Sequence, residues 1–472
     1  MALRNPISKT QEGLLVRALR EPENALRCLV LMVRGFPDEP LSHEWAHIWE
    51  ERRQEARKEC SPDVFARIES AIGDISSMEP FSIDPQISRL QLGEETDVCL
   101  LLGAGISAPE PSRIPTVTDL LAELWQRASR IGRDDIDRLR DWCENRGVRN
   151  IEDLLTAAYI ANFSARNSNI WGLLDYFLFK AGQPTLTESA SLLTEPHARQ
   201  VDTASIALLQ DTLQTLFGLL AGTMIPAAPN DAHEAVVSFV RRHTRSSIVT
   251  TNYDGCVDEA LLKAKLRLNT YIEEEARPDR TDLIKVHGSI NWSYCDSCHD
   301  VREFDLLNLK KAYDEDSLSY AVIGICRKCQ GQRRPLLIPP MAVKFVMFPN
   351  LIRLWEQARL RIETSSLIIV VGFSFAEGDA YLNKIVERSM GISRDQTIVV
   401  CDRNRALADA LRRRYAARID RFDEARILAA TGSAEKVLPQ VLSRLQEARQ
   451  SNSAPTASGK RTRRSAKKRS AK

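Results

Sequence analysis

The chain is poor in cysteine, in long apolar runs and, at one end, in acid. Ten cysteines in 472 residues are too few for a disulfide framework. No run of about 18 apolar residues occurs, and the opening MALRNPISKTQEGLLVRALREPEN has no unbroken apolar stretch of the kind a secretory signal carries, so a cytoplasmic protein without a membrane partner is the expectation. The last 22 residues, SNSAPTASGKRTRRSAKKRSAK, hold eight Lys/Arg and no acid, which leaves −6 on the rest of a chain whose net charge is +2. Such a tail has no apolar face to bury and is expected to be disordered over 453–472. It either contacts nucleic acid non-specifically through its phosphates or only keeps the chain in solution.

What is present is the composition of an ordinary globular protein, 43% hydrophobic and 27% charged. Its length calls for one large domain with appended pieces. Residues 1–92 read as a small helical region, because "LLVRALREPENALRCLVLMVRGF" and "EWAHIWEERRQEARKE" place apolar side chains at helical spacing. The stretch "SSMEPFSIDPQISRLQLGEE" then leads into the first of five short β-rich runs: "VCLLLGAG" (98–105), "SSIVTTNYD" (246–254), "DLIKVHGS" (282–289), "SLIIVVGFS" (366–374) and "QTIVVCDRN" (396–404). Helical sequence separates them. The pattern predicts an α/β fold over 93–430, a Rossmann-like doubly wound parallel sheet, with ligands at the carboxyl ends of its strands. Between the first two runs "IPTVTDLLAELWQRASR" starts a helix at Pro115 and Thr116, and the sequence over about 127–230 reads as an inserted helical module. A C-terminal helix is expected over 431–452, and no internal repeat is evident.

The polar residues cluster at those strand ends. Gly103-Ala104-Gly105-Ile106-Ser107-Ala108 fits GxGxxA after a strand, where glycines let backbone approach a pyrophosphate and a helix terminus favours its charge; the plain alternative is a tight turn. No acidic ribose ligand follows about 20 residues on, which disfavours an ordinary dehydrogenase. Thr250-Thr251-Asn252-Tyr253-Asp254 closes the second strand; alone, Asn252 reads as a turn residue and Asp254 as a helix N-cap. His287, in "KVHGSINW", alone reads as a hydrogen-bonded structural histidine. A carboxamide and an imidazole at adjacent strand ends can together orient a ribose and manage its hydroxyl protons. Cys295-x2-Cys298 and Cys326-x2-Cys329, 27 residues apart, supply four thiolates for a closed tetrahedral zinc site in a module over about 291–335, with His299 a bystander. Gly372-Phe373-Ser374 with Asp379, and Asp402-Arg403-Asn404, suit the ribose and adenine half of a dinucleotide.

Taken in order, GAGIS, T-x-N-x-D, HGS, two CxxC pairs and G-x-S closely resemble the sirtuin family over about residues 95–430. The resemblance implies that Gly103, Ala104, Gly105 and Ser107 contact the phosphates of NAD. It implies further that Asn252 and Asp254, with Thr251, line the nicotinamide-ribose pocket, and that His287 is the catalytic histidine. Gly372, Ser374, Asp402 and Asn404 would hold the adenosine half. Two departures speak against an acyl-lysine peptide groove: Ile114-Pro115 runs into Thr116-Val117-Thr118 where protein-deacylating sirtuins have Gly-Ile-Pro-Asp-Phe-Arg, and "LLIPPMAVKFVMFP" replaces their Phe-Gly-Glu stretch. "IPT", "TTNYD", "LLIPP" and "GFSFAEGDAYL" are similar instead to the sirtuin-like NAD-cleaving domains of prokaryotic antiviral systems. That similarity implies an NAD hydrolase with a structural zinc, acting as a defence effector. It also implies homo-oligomers and gating by assembly or by a partner such as a DNA-translocating ATPase (helicase). The alternatives are an NAD-dependent protein deacylase and a non-catalytic NAD or ADP-ribose binding subunit of a nucleic-acid-associated complex.

Overall fold

A computed structural model describes residues 28, 30, 68, 81–90, 92–130, 132, 134–148, 150–166, 203–272, 276–295, 297–313, 322, 324–339, 348 and 351–453. The expected N-terminal helices, the middle of the inserted module, most of the segment "LLIPPMAVKFVMFP" and all but the first residue of the basic tail lie outside these residues. The chain divides into two compact units, Met1–Phe81 and Ser82–Lys472, and the second carries the fold described here.

In chain order that unit holds β1 (Ser82–Ile83), β2 (Val98–Leu102), α1 (Val117–Arg130), α2 (Asp134–Arg146), α3 (Ile151–Arg166), α4 (Thr203–Met224), α5 (Asp231–Arg242), β3 (Ser246–Thr250), α6 (Cys256–Lys263), β4 (Leu268–Asn269) and β5 (Thr281–Lys285). There follow β6 (Gly288–Cys295), β7 (Val301–Glu303), α7 (Leu306–Ala312), β8 (Gly324–Ile325), β9 (Gln332–Leu337), α8 (Ile352–Thr364), β10 (Leu367–Val371), α9 (Ala380–Ile392), β11 (Thr397–Asp402), α10 (Ala406–Ala416), β12 (Ile427–Thr431) and α11 (Ala434–Ser453).

The main sheet has the order β1-β12-β11-β10-β2-β3-β5-β4, parallel throughout except for β1, which pairs antiparallel with β12 and caps that edge. Strand side chains alternate between two faces, and the alternation sorts the core. Cys99 and Leu101 of β2, Ile368 and Val370 of β10 and Ile398 and Val400 of β11 pack in one cluster with Leu124, Leu354, Leu382 and Leu411 of the helices on that side. Their sequence neighbours Leu100, Ile369 and Val399 pack in a second cluster with Val236 of α5, Leu261 of α6 and Val441 of α11. Helices on both faces explain why β2 and β10 are apolar at every position.

Beyond β2 the chain first steps outward through β3 to β5, then returns to the other side of β2 at β10. The topological switch therefore lies between β2 and β10, where a sheet of this kind opens a ligand crevice. All five expected strands form, and β12 extends the sheet past residue 430, where the expected domain ended. Residues 82–89 likewise belong to this unit, through β1 and the 3₁₀ turn Pro85–Arg89, although they were grouped with the N-terminal region. The helical module also begins earlier than residue 127: α1 runs unbroken from Val117, and its Leu120, Leu121 and Leu124 join Leu139 of α2, Leu155 of α3 and Leu220 of α4 in one core.

A second, antiparallel sheet, β7-β6-β9-β8, grows directly from the end of β5. Gly288 makes that turn possible. It sits at φ +82, a left-handed conformation that favours glycine, and a Cβ there would stand 2.0 Å from the Leu336 carbonyl oxygen of β9.

Candidate active site and its zinc module

The carboxyl ends of β2, β3, β5, β10 and β11 are locked to one another by hydrogen bonds that continue past the strands. Gly103 N donates to Val371 O (2.9 Å), Gly105 N to Gly372 O (3.0 Å), Gly372 N to Cys401 O (3.1 Å), Thr251 N to Leu102 O (3.1 Å) and Val286 N to Thr250 O (3.0 Å). Gly103 and Gly105 meet the opposite loop across the switch point. A Cβ on Gly103 would lie 2.5 Å from Gly372 O, and one on Gly105 2.7 Å from Gly372 Cα. This loop contact, and not only access for a ligand, accounts for the glycines. The turn itself is a short 3₁₀ segment, Ala104–Ile106, and the next helix, α1, begins only at Val117, so no α-helix N-terminus stands at GxGxxA as the motif had suggested.

An inner group of side chains is buried beneath this rim. Ser107 is 1% exposed, Asn252 8%, His287 2% and Asp379 9%. Asn252 Nδ2 donates to Ser107 Oγ at 3.3 Å, while Asn252 Oδ1 is buried and has no hydrogen-bond partner among the described residues. An orphaned buried acceptor costs about 1–3 kcal/mol and marks a place where a ligand or water completes the structure. At the end of the neighbouring strand, His287 stands between the rings of Tyr253 and Trp355, with centroids at 6.2 and 6.0 Å, and its Nε2 lies 3.1 Å from Asp379 Oδ1. Tyr253 is held in turn by its hydroxyl, which donates to Ile338 O (2.9 Å). Asp379 was expected on the adenosine side; it stands against the histidine instead. It is also the N-cap residue of α9.

The outer residues are more open. Ala104, Gly105, Thr251, Gly372 and Asp402 are half-buried and Ser374 and Asn404 exposed, whereas Gly103 and Ser107 of the expected dinucleotide contacts are buried. The polar tips at the β11 end are partly used by the fold. Asp402 Oδ1 accepts from Asn404 N (2.8 Å), Asn404 Oδ1 accepts from Ala406 N (3.0 Å), and burial raises the Asp402 carboxyl above its usual range. Asp254 has a similar job: its Oδ1 accepts from Cys256 N (2.9 Å) in the turn before α6, but the N-cap of that helix is Gly255 and not Asp254 as weighed from sequence. Its backbone carbonyl accepts from the buried Lys285, which pairs with Asp258 at 2.8 Å.

Two residues of the site carried no signal of their own. His233, at the start of α5, accepts from Asn230 N at Nδ1 (3.1 Å) and lies 3.3 Å from Ser107 Oγ through Nε2. The ligand atoms of His233, Asp254 and Cys256 fall within 4.8 Å of one another, but these bonds use both imidazole nitrogens and burial pushes the Cys256 thiol up, so the trio does not suit a metal.

Glu152 of α3 is the other. Burial pushes its carboxyl up to about 8, with Asp379 and then Asp153 adding in the same direction. The folded chain thus keeps a proton that the unfolded chain has lost, so this group's contribution to stability falls as pH rises from its ordinary 4.5 to about 8. Glu152→Gln is expected to flatten the pH profile of the thermal midpoint in that window and to stabilise the chain at about pH 8. A profile that tracks the wild type would show that the carboxyl ionises freely.

Cys295, Cys298, Cys326 and Cys329 bring their four sulfur atoms within 4.8 Å of one another, Cys295 and Cys329 at 3.4 Å and Cys298 and Cys326 at 3.7 Å. Thiolates about 2.3 Å from a tetrahedral zinc stand about 3.8 Å apart, so the donor set fits that ion and leaves no open position. Each knuckle turns through a left-handed residue, His299 (φ 60) and Gln330 (φ 61). His299 bonds to the Tyr294 hydroxyl through Nδ1, as a bystander would. Arg333 reaches Cys326 Sγ (3.4 Å) and Asp300 (2.8 Å), and such a cation offsets the charge of four thiolates. Zinc here would clamp β6 to β8 and β9. Because β6 starts one residue after His287, elemental analysis should find about one zinc per chain, and chelation or Cys326→Ser should lower the thermal midpoint and loosen the histidine; an unchanged melting curve without metal would refute the clamp.

The family model of the SIR2-like domain matches residues 246–422, a span that contains Asn252, His287, the four cysteines, Gly372, Ser374 and Asp402 but not Gly103–Ser107. Among solved structures, a Sir2 homologue mutant in complex with ADP-ribose is similar at 16% identity and a TM-score of 0.41, covering 78% of this chain and 98% of that one. A Sir2 homolog–NAD complex is similar at 17% identity and a TM-score of 0.40, covering 78% of this chain and 96% of that one. No curated protein matches the chain. Among the described residues no helix is long and apolar enough to cross a membrane. With the strand ends, the switch-point loops and the four-cysteine module assembled as above, residues 246–422 form a SIR2-like domain.

Proposed function

We propose that this domain hydrolyses NAD to nicotinamide and ADP-ribose. The observation that carries the reading is the buried, partnerless Asn252 Oδ1 at the end of β3, one strand from the His287–Asp379 pair. The open rim at Ala104, Gly105, Gly372 and Asp402 receives the phosphates and the adenosine half, and the buried groups take the nicotinamide ribose. Cleavage breaks the bond between the anomeric carbon and the ring nitrogen, and its electron pair leaves with neutral nicotinamide. The oxocarbenium-like sugar that remains is attacked by one water, which Asn252 orients. His287 takes the proton directly or through a ribose hydroxyl, with Asp379 holding the imidazole and stabilising its cation. Asp254 and the other buried acids favour the developing positive charge.

Burial of the inner residues supports gating, because substrate enters only when the site opens. We assign that control to assembly of several copies, or to a partner such as a DNA-translocating ATPase or another subunit of an antiviral defence system, with the basic tail as a further contact to nucleic acid. The defence role rests on the sequence resemblances alone. The test is incubation with NAD in the presence and absence of an acyl-lysine peptide, on assembled and dissociated protein. Equal nicotinamide release in both supports the hydrolase, and turnover confined to the peptide-containing arm shows a deacylase instead.

A further inference from the structure

The route from α5 to the inner pocket is a fixed chain of hydrogen bonds. Asn230 caps α5: its Oδ1 accepts from the backbone of Ala232 (3.0 Å) and His233 (3.3 Å), and its own backbone N–H donates to His233 Nδ1, which closes a capping box. Asn230 Nδ2 also donates to Ile106 O (2.8 Å), which ties the helix start to the residue before Ser107. Since His233 Nδ1 accepts, the neutral ring carries its hydrogen on Nε2 and donates it to Ser107 Oγ. Burial keeps the ring neutral, lowering its pKa to about 4 against the opposing pull of Asp254. Asn252 Nδ2 supplies a second hydrogen to the same oxygen. Both lone pairs of the serine oxygen are then filled, and its own hydrogen points away from both donors.

We infer that His233 is a positioning residue. Through its Nε2–H it turns the Ser107 hydroxyl into an outward donor beside the free acceptor Asn252 Oδ1, and the two form a matched pair for an O–H group that both donates and accepts, as a ribose hydroxyl does. The inference rests on the proposed NAD hydrolysis and assigns it a residue outside the matched SIR2-like segment. A capping role alone would be served by any acceptor at position 233. The positioning role needs a donor as well.

The experiment compares wild type, His233→Gln and His233→Leu in steady-state nicotinamide release from NAD, at a temperature where all three are folded. Glutamine supplies both an acceptor for Asn230 and a donor for Ser107; leucine supplies neither. The expected result is a kcat about 100-fold lower in the leucine variant, a KM for NAD within about 3-fold of wild type, and recovery of most of kcat in the glutamine variant. A leucine variant equal to wild type, or a glutamine variant as slow as leucine, overturns the inference and leaves the hydrolase standing. Wild-type protein that releases no nicotinamide overturns the hydrolase and the inference with it. Should the leucine variant not fold, the ring 15N shifts of His233 in the wild type decide: hydrogen on Nε2 supports the inference, and hydrogen on Nδ1 overturns it.

Discussion

His287→Ala is expected to lower nicotinamide release from NAD by about 10³-fold while the protein stays folded, and Asn252→Ala to lower it comparably. The size of the effect follows from position. His287 is buried between two aromatic rings with Asp379 on Nε2, so no solvent water inherits its role when the ring is removed. General acid–base catalysis by such a group contributes about 10²–10⁴-fold, and loss of the orienting amide costs a similar amount because the attacking water is no longer held in line. Asp379→Asn separates the two parts of the histidine's task. It keeps the shape of the contact and removes the charge that stabilises the imidazolium, so kcat should fall more than KM rises. Equal rates in wild type and His287→Ala would place the chemistry elsewhere.

Gly372→Ala should be the most damaging single methyl group in the domain. The residue sits at φ +58, and a Cβ would fall 2.5 Å from Gly105 Cα, 2.6 Å from Gly105 C and 2.7 Å from Ile106 N. Every one of these neighbours is backbone, so no side chain can swing aside. Strain at a left-handed position and overpacking each cost about 1–3 kcal/mol, which gives a destabilisation of about 2–6 kcal/mol. The loop that must yield carries Ser107, two residues past Gly105, so activity should fall further than stability explains. Gly132→Ala provides the comparison: its φ is +66 but nothing lies within 4 Å of the added carbon, so only the conformational strain is felt. Chemical denaturation of the two variants checks the difference, and equal destabilisation would show that the loops at the switch point are not in close contact.

The main sheet was largely legible because its five central strands are buried on both faces, and "LIIVV" or "VCLLL" can hardly be anything else between turn signals. Strand β12 was not, since "ILAAT" has two alanines where a β-branched residue would have flagged it, and β1 is two residues long. The strand-end residues were readable as polar groups standing where apolar runs stop, and the two CxxC pairs were readable from spacing alone. What spacing could not show is which groups meet across the edge. Asp379 lies in a stretch singled out for the adenosine half, yet the turn over Glu377–Asp379 brings it to His287. The glycines at 103 and 105 were read for a ligand, while the structure spends them first on Gly372. His233 carries only the signature of a helix start, Asn-x-x-His, and its reach to Ser107 spans 126 positions.

The most direct measurement is the product balance after mixing the purified full-length chain, in its assembled form, with NAD and no acylated lysine. Equal amounts of nicotinamide and free ADP-ribose, both suppressed by Asn252→Ala, are the expected result. NAD that stays intact until an acyl-lysine peptide is supplied, or that disappears equally fast with alanine at position 252, would contradict it.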